Sequence, residues 1–318
     1  MDFLTLLVTD SQPAALNVRQ LTLAAADGSA LPPYEAGAHV EIALPDGETR
    51  PYSLVDLDGT AAAPRAYVLG VLLEPESRGG SQYMHGLKPG DTLCVTPPRA
   101  SFSLTKAPGP SLLIAGGIGV TPILSMARAL KDQGRPYQMV YAARSAAGMA
   151  FADHLQALHG EALTLHQDDT KGGPLPLKPL IDAAEPGAQL YICGPRPMIE
   201  AARETAIAAG LPHDRIHIEL FETAAPQSGD QRFEVELAST GQVFTIPADR
   251  TIIQVLEAEG IDVMYDCQRG DCGICQTDVL DGVPDHRDVV LTDAERAAGR
   301  IMQICVSRAL TPRLKLDL

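Results

Sequence analysis

From the N-terminus to about residue 104, short apolar runs alternate with turn residues. Val18 to Leu23 alternates and then turns at Asp27-Gly28; Ala38 to Leu44 does the same before Pro45-Asp46-Gly47. Ser53-Leu54-Val55, Ala66 to Leu73 and Thr92 to Thr96 keep the habit. Short, evenly spaced strands of this kind predict a small antiparallel β-barrel. The pattern then changes. Ser111 to Ala115 is one continuous apolar strand running into Gly116-Gly117-Ile118-Gly119-Val120-Thr121-Pro122, and a helical period follows from Pro122 to Lys131, with the proline suited to a first turn. Strand Gln138–Ala143, helix Phe151–Leu158, strand Ala162–His166, strand Gln189–Cys193 and helix Met198–Ala209 come next. Apolar strands alternating with helices predict a parallel, doubly wound α/β sheet. Glu222 to Gln231, with Pro226, Ser228 and Gly229, reads as a linker. Beyond it Phe233–Leu237 and Val243–Ile246 form a hairpin around Ser239-Thr240-Gly241, and Thr251 caps a helix through Glu259. The fold expected is multidomain: a barrel over 1–105, an α/β domain over 106–224 and an α+β domain over 225–318.

The last domain carries the most specific pattern. Cys267, Cys272 and Cys275 stand at C-x4-C-x2-C spacing, and Cys305 follows thirty residues later. This is the plant-type spacing of a [2Fe-2S] cluster held by four thiolates. A loop that wraps two irons must fold back tightly, and Gly270 and Gly273 supply that freedom while leaving backbone N–H groups free to point at sulfur. Cys305 is expected from a separate strand. A structural zinc site usually takes two paired knuckles, whereas Cys305 has no neighbouring cysteine or histidine. A Rieske centre would need two histidines in place of two of these cysteines.

Composition narrows the setting. Across 318 residues the chain is 45% hydrophobic and 20% charged, enough for two or three well-packed domains. A formal net charge of −15 argues against nucleic acid and anionic membranes as partners. From Asp230 onward 16 acidic residues face 9 basic ones, which suits a basic protein partner. Six cysteines at this length are not a disulfide framework, and thiolate ligands imply a reducing, cytoplasmic compartment. No basic segment leads an apolar core at the start, so no signal peptide is expected. The apolar run Ser111–Leu130 holds glycines, a proline and an arginine and reads as strand, turn and helix rather than a membrane span. Cys94 is expected in the barrel core. His213 and His217 have i, i+4 spacing but flank a predicted strand rather than a helix, and with His154, His159, His166 and His286 they read as surface or turn residues.

Two glycine-bearing turns, at Gly116 and at Gly194-Pro195, fall at carboxyl ends of predicted parallel strands, where such sheets bind ligands. Neither is the G-x-G-x-x-G fingerprint. In the barrel, Arg78-Gly79-Gly80-Ser81 combines glycines that allow close backbone approach with groups that bond an anion, as phosphate requires.

Taken in order, Arg50-Pro51-Tyr52-Ser53, then Gly116 to Pro122 with Cys193-Gly194-Pro195, then the four cysteines, the chain resembles the phthalate dioxygenase reductase family, which includes the vanillate demethylase reductase components. The likeness spans nearly the whole chain. It implies a flavin-binding barrel, a nicotinamide-binding domain and a plant-type ferredoxin domain of β-grasp form. By it Arg50, Pro51, Tyr52 and Ser53 would hold the flavin, with Ser53 near its reactive nitrogen. Val71 and Leu72 would line the ring, and Gly79, Gly80 and Ser81 would receive the phosphate. Gly116, Gly117, Gly119, Thr121 and Pro122 would cradle the dinucleotide, with Cys193, Gly194, Pro195 and Met198 flanking the nicotinamide. Phe221 would cover the flavin. Ser53, Thr121, Cys193 and Phe221 would thus lie nearest the transfer itself.

The resemblance further implies FMN rather than FAD, NADH, a terminal Rieske-type oxygenase as acceptor, and a monomer. Arg144-Ser145 after the second α/β strand could meet a 2′-phosphate, whereas Asp168 and Asp169 after the third would repel one. A hydride brings two electrons and the cluster takes one, so the flavin would stand between them. The alternatives are a reductase for a cytochrome P450 or other monooxygenase, and a ferredoxin carrier that senses NADH without turnover.

Overall fold

The protein is seen in a computed structural model that describes residues 3–75, 77, 79–222, 227 and 229–318. It forms two compact units, one ending at Glu219 and one spanning Leu220–Leu318.

The first unit opens with six antiparallel strands: β1 (Leu4–Ala15), β2 (Val18–Ala24), β3 (His39–Ala43), β4 (Thr49–Ser53), β5 (Ala66–Leu72) and β6 (Thr92–Val95), in the order β4-β3-β6-β1-β2-β5. One short helix, α1 (Gly80–Gly86), follows β5. The longest strand, β1, has no counterpart among the strands expected from the sequence. Its polar stretch and Pro13 hide the alternation, and register shifts between Val8 and Asp10 and between Pro13 and Ala15 show how bulges accommodate them. Residues 53–55 were expected as strand; β4 instead ends at Ser53. Leu54 leaves it to bridge Leu69, and Val55 donates to the Val68 carbonyl at 2.9 Å, so these two residues close the barrel across to β5. Cys94 corrects the sequence expectation. Leu93 and Val95 point into the core, and the period of two turns Cys94 outward, where it is exposed.

The same unit continues with β7 (Ser111–Gly116), α2 (Val120–Asp132), β8 (Tyr137–Ala143), α3 (Ala152–His159), β9 (Leu163–Gln167), α4 (Asp168–Lys171), α5 (Leu177–Asp182), β10 (Gln189–Cys193), α6 (Arg196–Ala208) and β11 (Ile216–Glu219). The strands are parallel in the order β11-β10-β7-β8-β9. The chain therefore winds outward one way from β7 and then returns to wind the other way from β10. The order reverses between β7 and β10, and a crevice opens at such a point in an α/β sheet. Every residue of β7 and β10 is buried, as a central strand covered on both faces requires. Barrel and sheet share a core: Val55 and Phe102 cluster with Leu113, Leu124 and Tyr191. Ser125 joins them by hydrogen bonds, accepting from Asp56 N at 2.9 Å and donating to Leu54 O at 2.7 Å.

The second unit contains β12 (Phe233–Leu237), β13 (Val243–Ile246), α7 (Ile252–Ala258), β14 (Gln276–Asp281), β15 (Pro284–Asp285), α8 (Asp293–Ala298), β16 (Ile301–Gln303), β17 (Arg308–Ala309) and β18 (Arg313–Leu316). The β12–β13 hairpin adds β18 parallel to β12, then β14 and β16, and α7 buries Ile252, Ile253, Val255 and Leu256 against this sheet: a β-grasp. Thr251 with Gln254, and Thr292 with Glu295, form reciprocal capping boxes that start α7 and α8, each worth about 1 kcal/mol. Asp230 is pinned to this unit by a two-pronged bond from Arg287, at 2.9 and 2.5 Å. Among the described residues no helix is long and apolar enough to cross a membrane.

Candidate functional site

The cysteine loop runs between α7 and β14, with Cys267 and Cys272 partly exposed and Cys275 and Cys305 buried. Cys305 sits in a turn two residues beyond β16, not on a strand, and that turn carries it back under the loop. The four thiols perturb one another: Cys272 and Cys305 hold the Cys267 thiol low and Cys305 holds that of Cys275 low, while Cys272 and Cys305 are themselves pushed up. Backbone N–H groups also aim at sulfur: Arg269 N lies 3.3 Å from Cys267 Sγ, Ile274 N serves Cys272, and Cys305 N serves Cys275. Among the described residues no three His, Cys, Asp or Glu side chains converge as a site for a single ion. Four soft donors with amide hydrogens on them are what a [2Fe-2S] cluster asks of a protein.

Gly270 shows why the loop can take this path. Its φ is +84°, and a β-carbon there would stand 2.7 Å from Val306 Cγ2 and 3.1 Å from Asp288 Cα. Two further residues of the loop were not singled out from the sequence. Arg269 is buried, the Asp271 side chain is 5% exposed, and the two are 3.6 Å apart; Asp271 Oδ2 accepts the N–H of Leu220 at 2.7 Å. Burial pushes the Asp271 carboxyl up to about 7 against the pull of Arg269. Both residues are visible between the cysteines, but the bond to Leu220 crosses 51 positions and leaves no local signature.

In the first unit the two glycine turns meet at the β7/β10 reversal. Gly116 has room for no side chain: a β-carbon would stand 2.7 Å from Met198 Cε and 2.8 Å from Pro195 Cδ. A β-carbon on Gly119 would collide with the Cys193 carbonyl, and one on Gly194 would lie 3.0 Å from Gly116 N. The structure thus brings Gly116, Gly119, Cys193, Gly194, Pro195 and Met198 into one packed group. Gly117 (φ +53°) makes the turn itself. Thr121 and Pro122 are buried in the first turn of α2, where Thr121 Oγ1 donates to Ile118 O at 3.0 Å. Arg144 and Ser145 follow β8, and Asp168 opens α4 after β9. These two strand ends abut, since Asp169 N donates to Arg144 O at 3.1 Å.

The barrel residues gather at the start of α1. A β-carbon on Gly80 would stand 3.1 Å from Arg50 Cγ and 3.5 Å from Tyr52 Oη, so the start of α1 lies against β4. Arg50 donates to its neighbour Thr49 O at 2.7 Å and pairs with Glu48 at 3.3 Å. Burial pushes the Tyr52 phenol up to about 12. Ser53 and Val71 are buried, Leu72 is half-buried, and Pro51 is exposed. Ser81 Oγ accepts from Glu74 N at 3.1 Å and bonds Ser77 Oγ at 2.9 Å, while Gly79 (φ +98°) has open space around it. Arg78 lies outside the described residues. Between barrel and sheet, a β-carbon on Gly70 of β5 would touch Thr121 Cγ2 at 2.8 Å and Phe151 Cε2 at 3.0 Å. Phe151, at an unusual φ of +61°, was not among the expected site residues. Phe221 is exposed, in the second unit.

Comparison with known proteins agrees with this geometry. Residues 93–216 match the family model for the dimethylamine monooxygenase subunit DmmA-like N-terminal domain, and residues 235–310 match the 2Fe-2S iron-sulfur cluster binding domain. The chain is 44% identical to the phenoxybenzoate dioxygenase subunit beta of Ectopseudomonas oleovorans over 91% of its own length and 89% of the relative's. It is 42% identical to the vanillate O-demethylase oxidoreductase of Pseudomonas sp. (strain HR199 / DSM 7063), covering 96% of each. Among solved structures it is similar to phthalate dioxygenase reductase, described as a modular structure for electron transfer from pyridine nucleotides to [2Fe-2S]. That match has TM-score 0.71 and 34% identity over 99% of this chain and 98% of that one. A type IV self-sufficient cytochrome P450 monooxygenase contains a similar portion: TM-score 0.75 and 37% identity over 99% of this chain but 41% of that one. Fold and site together define a flavin and iron–sulfur oxidoreductase of the oxygenase-reductase class. The chain belongs to the phthalate dioxygenase reductase and vanillate demethylase reductase family.

Proposed function

We propose that this protein takes electrons from NADH and delivers them, by way of FMN and a [2Fe-2S] cluster held by Cys267, Cys272, Cys275 and Cys305, to a terminal Rieske-type oxygenase. The observation that carries the reading is the contact of Gly70 with Thr121. It sets the barrel strand bearing Val71 against the glycine turn at the sheet's reversal point, so two ligands could meet there face to face. The flavin supplies the conversion of a two-electron donor into single electrons, and the cluster accepts those one at a time.

The chain's own residues bind and orient. Arg50, Tyr52 and Ser53 would hold the flavin, with Gly79, Gly80 and Ser81 at its phosphate. A flavin whose phosphate ended at this turn would be FMN rather than FAD. Gly116, Gly117, Gly119, Thr121 and Pro122 would let the dinucleotide backbone approach, with Cys193, Gly194, Pro195 and Met198 beside the nicotinamide. Asp168 and Asp169, at the strand end that abuts that of Arg144, favour NADH, because two carboxylates would repel a 2′-phosphate that one guanidinium would attract. The reading makes the protein a monomer of the cytoplasm, where ligand thiols stay reduced.

Mixing the purified protein with NADH under anaerobic conditions tests the relay: flavin and cluster absorbance should both bleach. A cluster that stays oxidised beside a reduced flavin would refute it. The P450-type portion that this chain resembles supports a second reading, in which the acceptor is a haem monooxygenase. NADH-dependent product formation with candidate Rieske oxygenases and candidate P450 enzymes separates the two.

A further inference from the structure

Phe151 holds a backbone conformation that its residue type does not favour. It stands at φ +61° and ψ 12°, in the left-handed region, at the head of α3. Glycine enters that region freely and asparagine or aspartate at times, but a bulky side chain there is strained. Of the two other non-glycine examples among the described residues, Asn17 is a type that tolerates it and Gln268 lies in the cysteine loop. Phe151 has no side-chain group to cap the helix, so contacts elsewhere must hold it. Those contacts are with the barrel. In β5, Tyr67, Leu69 and Val71 join the barrel core, so the period of two turns Val68 and Gly70 toward the α/β layer. The Phe151 ring occupies the space a side chain on Gly70 would need: Cε2 and Cζ lie 3.0 and 3.3 Å from the β-carbon position, and Thr121 Cγ2 lies 2.8 Å from it. Ring and Thr121 thus press together on one point of β5. A second tie braces the same segment, since Leu16 N, in the turn between β1 and β2, donates to Ala147 O at 2.7 Å.

We propose that Phe151 is a positioning residue for hydride transfer, a spacer whose ring sets how far the glycine turn bearing Thr121 stands from β5. It acts through Thr121 and Gly70 rather than on the reacting atoms. The left-handed turn is what carries the ring back over Gly70, and the tie at Ala147 keeps the segment between β8 and α3 from sliding along the barrel. Without the ring, the turn and the strand would settle at a different separation. Transfer between two bound groups falls steeply when their reacting atoms are misplaced, whereas binding of a long dinucleotide is spread over many contacts. Loss of the spacer therefore belongs in the limiting rate and not in the affinity. The inference deepens the proposed function and rests on it, since it needs a flavin on the barrel and a nicotinamide at the turn.

The test separates the ring from the turn. Phe151→Gly accepts a left-handed backbone without strain, so the turn survives and the spacer is lost. Phe151→Leu keeps most of the bulk. With the full holoproteins, anaerobic stopped flow at several NADH concentrations gives the limiting rate of flavin reduction and the apparent dissociation constant. Phe151→Gly should cut the limiting rate at least about tenfold and leave the dissociation constant within about twofold of wild type, with Phe151→Leu between the two. A readout without turnover accompanies these: the change in flavin absorbance on titrating NAD+ should shrink in Phe151→Gly while its midpoint holds. A wild-type limiting rate in Phe151→Gly would overturn the proposal. So would a loss confined to affinity, or a rate loss matched by an equal loss of bound flavin, either of which would make Phe151 a packing residue only. A wild type that NADH does not reduce at all would overturn the proposed function, and this inference with it.

Discussion

Gly119 lies so close to β10 that a β-carbon on it would collide with the Cys193 carbonyl and stand 2.7 Å from Gly194 N. The glycine turn after β7 and the turn after β10 are therefore in direct backbone contact. Gly119→Ala forces them apart at an overpacking cost of about 1–3 kcal/mol. The expected result is a protein that keeps its visible spectrum but whose flavin is reduced by NADH at least about tenfold more slowly. Stopped-flow absorbance reads this, and reduction by dithionite should be unchanged. A wild-type NADH rate would show that the contact does not position the nicotinamide.

Ser125 makes a second checkable joint. Its hydroxyl satisfies Asp56 N and Leu54 O, both buried, where α2 meets the barrel. Ser125→Ala strands a buried donor and a buried acceptor at a cost of about 1–3 kcal/mol. The thermal midpoint of the first unit should fall by several degrees, while the second unit's transition stays in place. Differential scanning calorimetry with cluster absorbance as a second probe distinguishes them.

Such joints mark the limit of what the sequence discloses. Periodicity is local, so strands Val18–Ala24, Ala66–Leu72 and Gln189–Cys193 and the Thr251 cap could be read from neighbours in the chain. The parallel sheet and the hairpin followed from the same signal. What β1 does could not be read, because bulges at Asp10 and Pro13 break its alternation. Cys94 was misplaced for a related reason: a single residue's side of a strand depends on register, and a shift of one reverses it. At the site, glycines and cysteines are legible because their chemistry demands them at fixed spacing. Phe151 beside Thr121, Ser125 on Leu54 and Asp271 on Leu220 depend on distant segments coming together and have no such spacing.

The cysteine assignment has a sharp consequence for Cys305, the ligand furthest from the others in sequence. Cys305→Ala removes one of the four sulfurs and should abolish visible iron–sulfur absorbance and bound iron. NADH-driven reduction of ferricyanide, which needs only flavin and nicotinamide binding, should persist near the wild-type rate. If iron is retained with the same spectrum, Cys305 is not a ligand. If the flavin activity is lost as well, the two units are not separable in the way their internal packing implies.

His159 predicts how the first unit responds to acid. It is buried at the end of α3 rather than on the surface as its sequence suggested, its Nδ1 shares a hydrogen bond with Tyr137 Oη at 2.5 Å, and the two rings meet edge-on at 5.6 Å. Burial, aided by nearby Lys131, holds its pKa down to about 4, against an ordinary value of 6.5. Between those two pH values the unfolded chain binds a proton at this position and the folded chain does not. Stability from this site is therefore complete above about pH 6.5, falls as pH drops toward 4, and levels off below. The loss is on the order of 2 kcal/mol, discounted from the full shift because the surrounding charges are screened by solvent. His159→Gln keeps an acceptor for Tyr137 but cannot titrate. The first unit's thermal midpoint, measured from pH 7.5 to 4.5, should fall less steeply in the variant than in the wild type. Parallel curves would mean that other groups carry the acid sensitivity and that His159 is already charged or exposed in the folded protein.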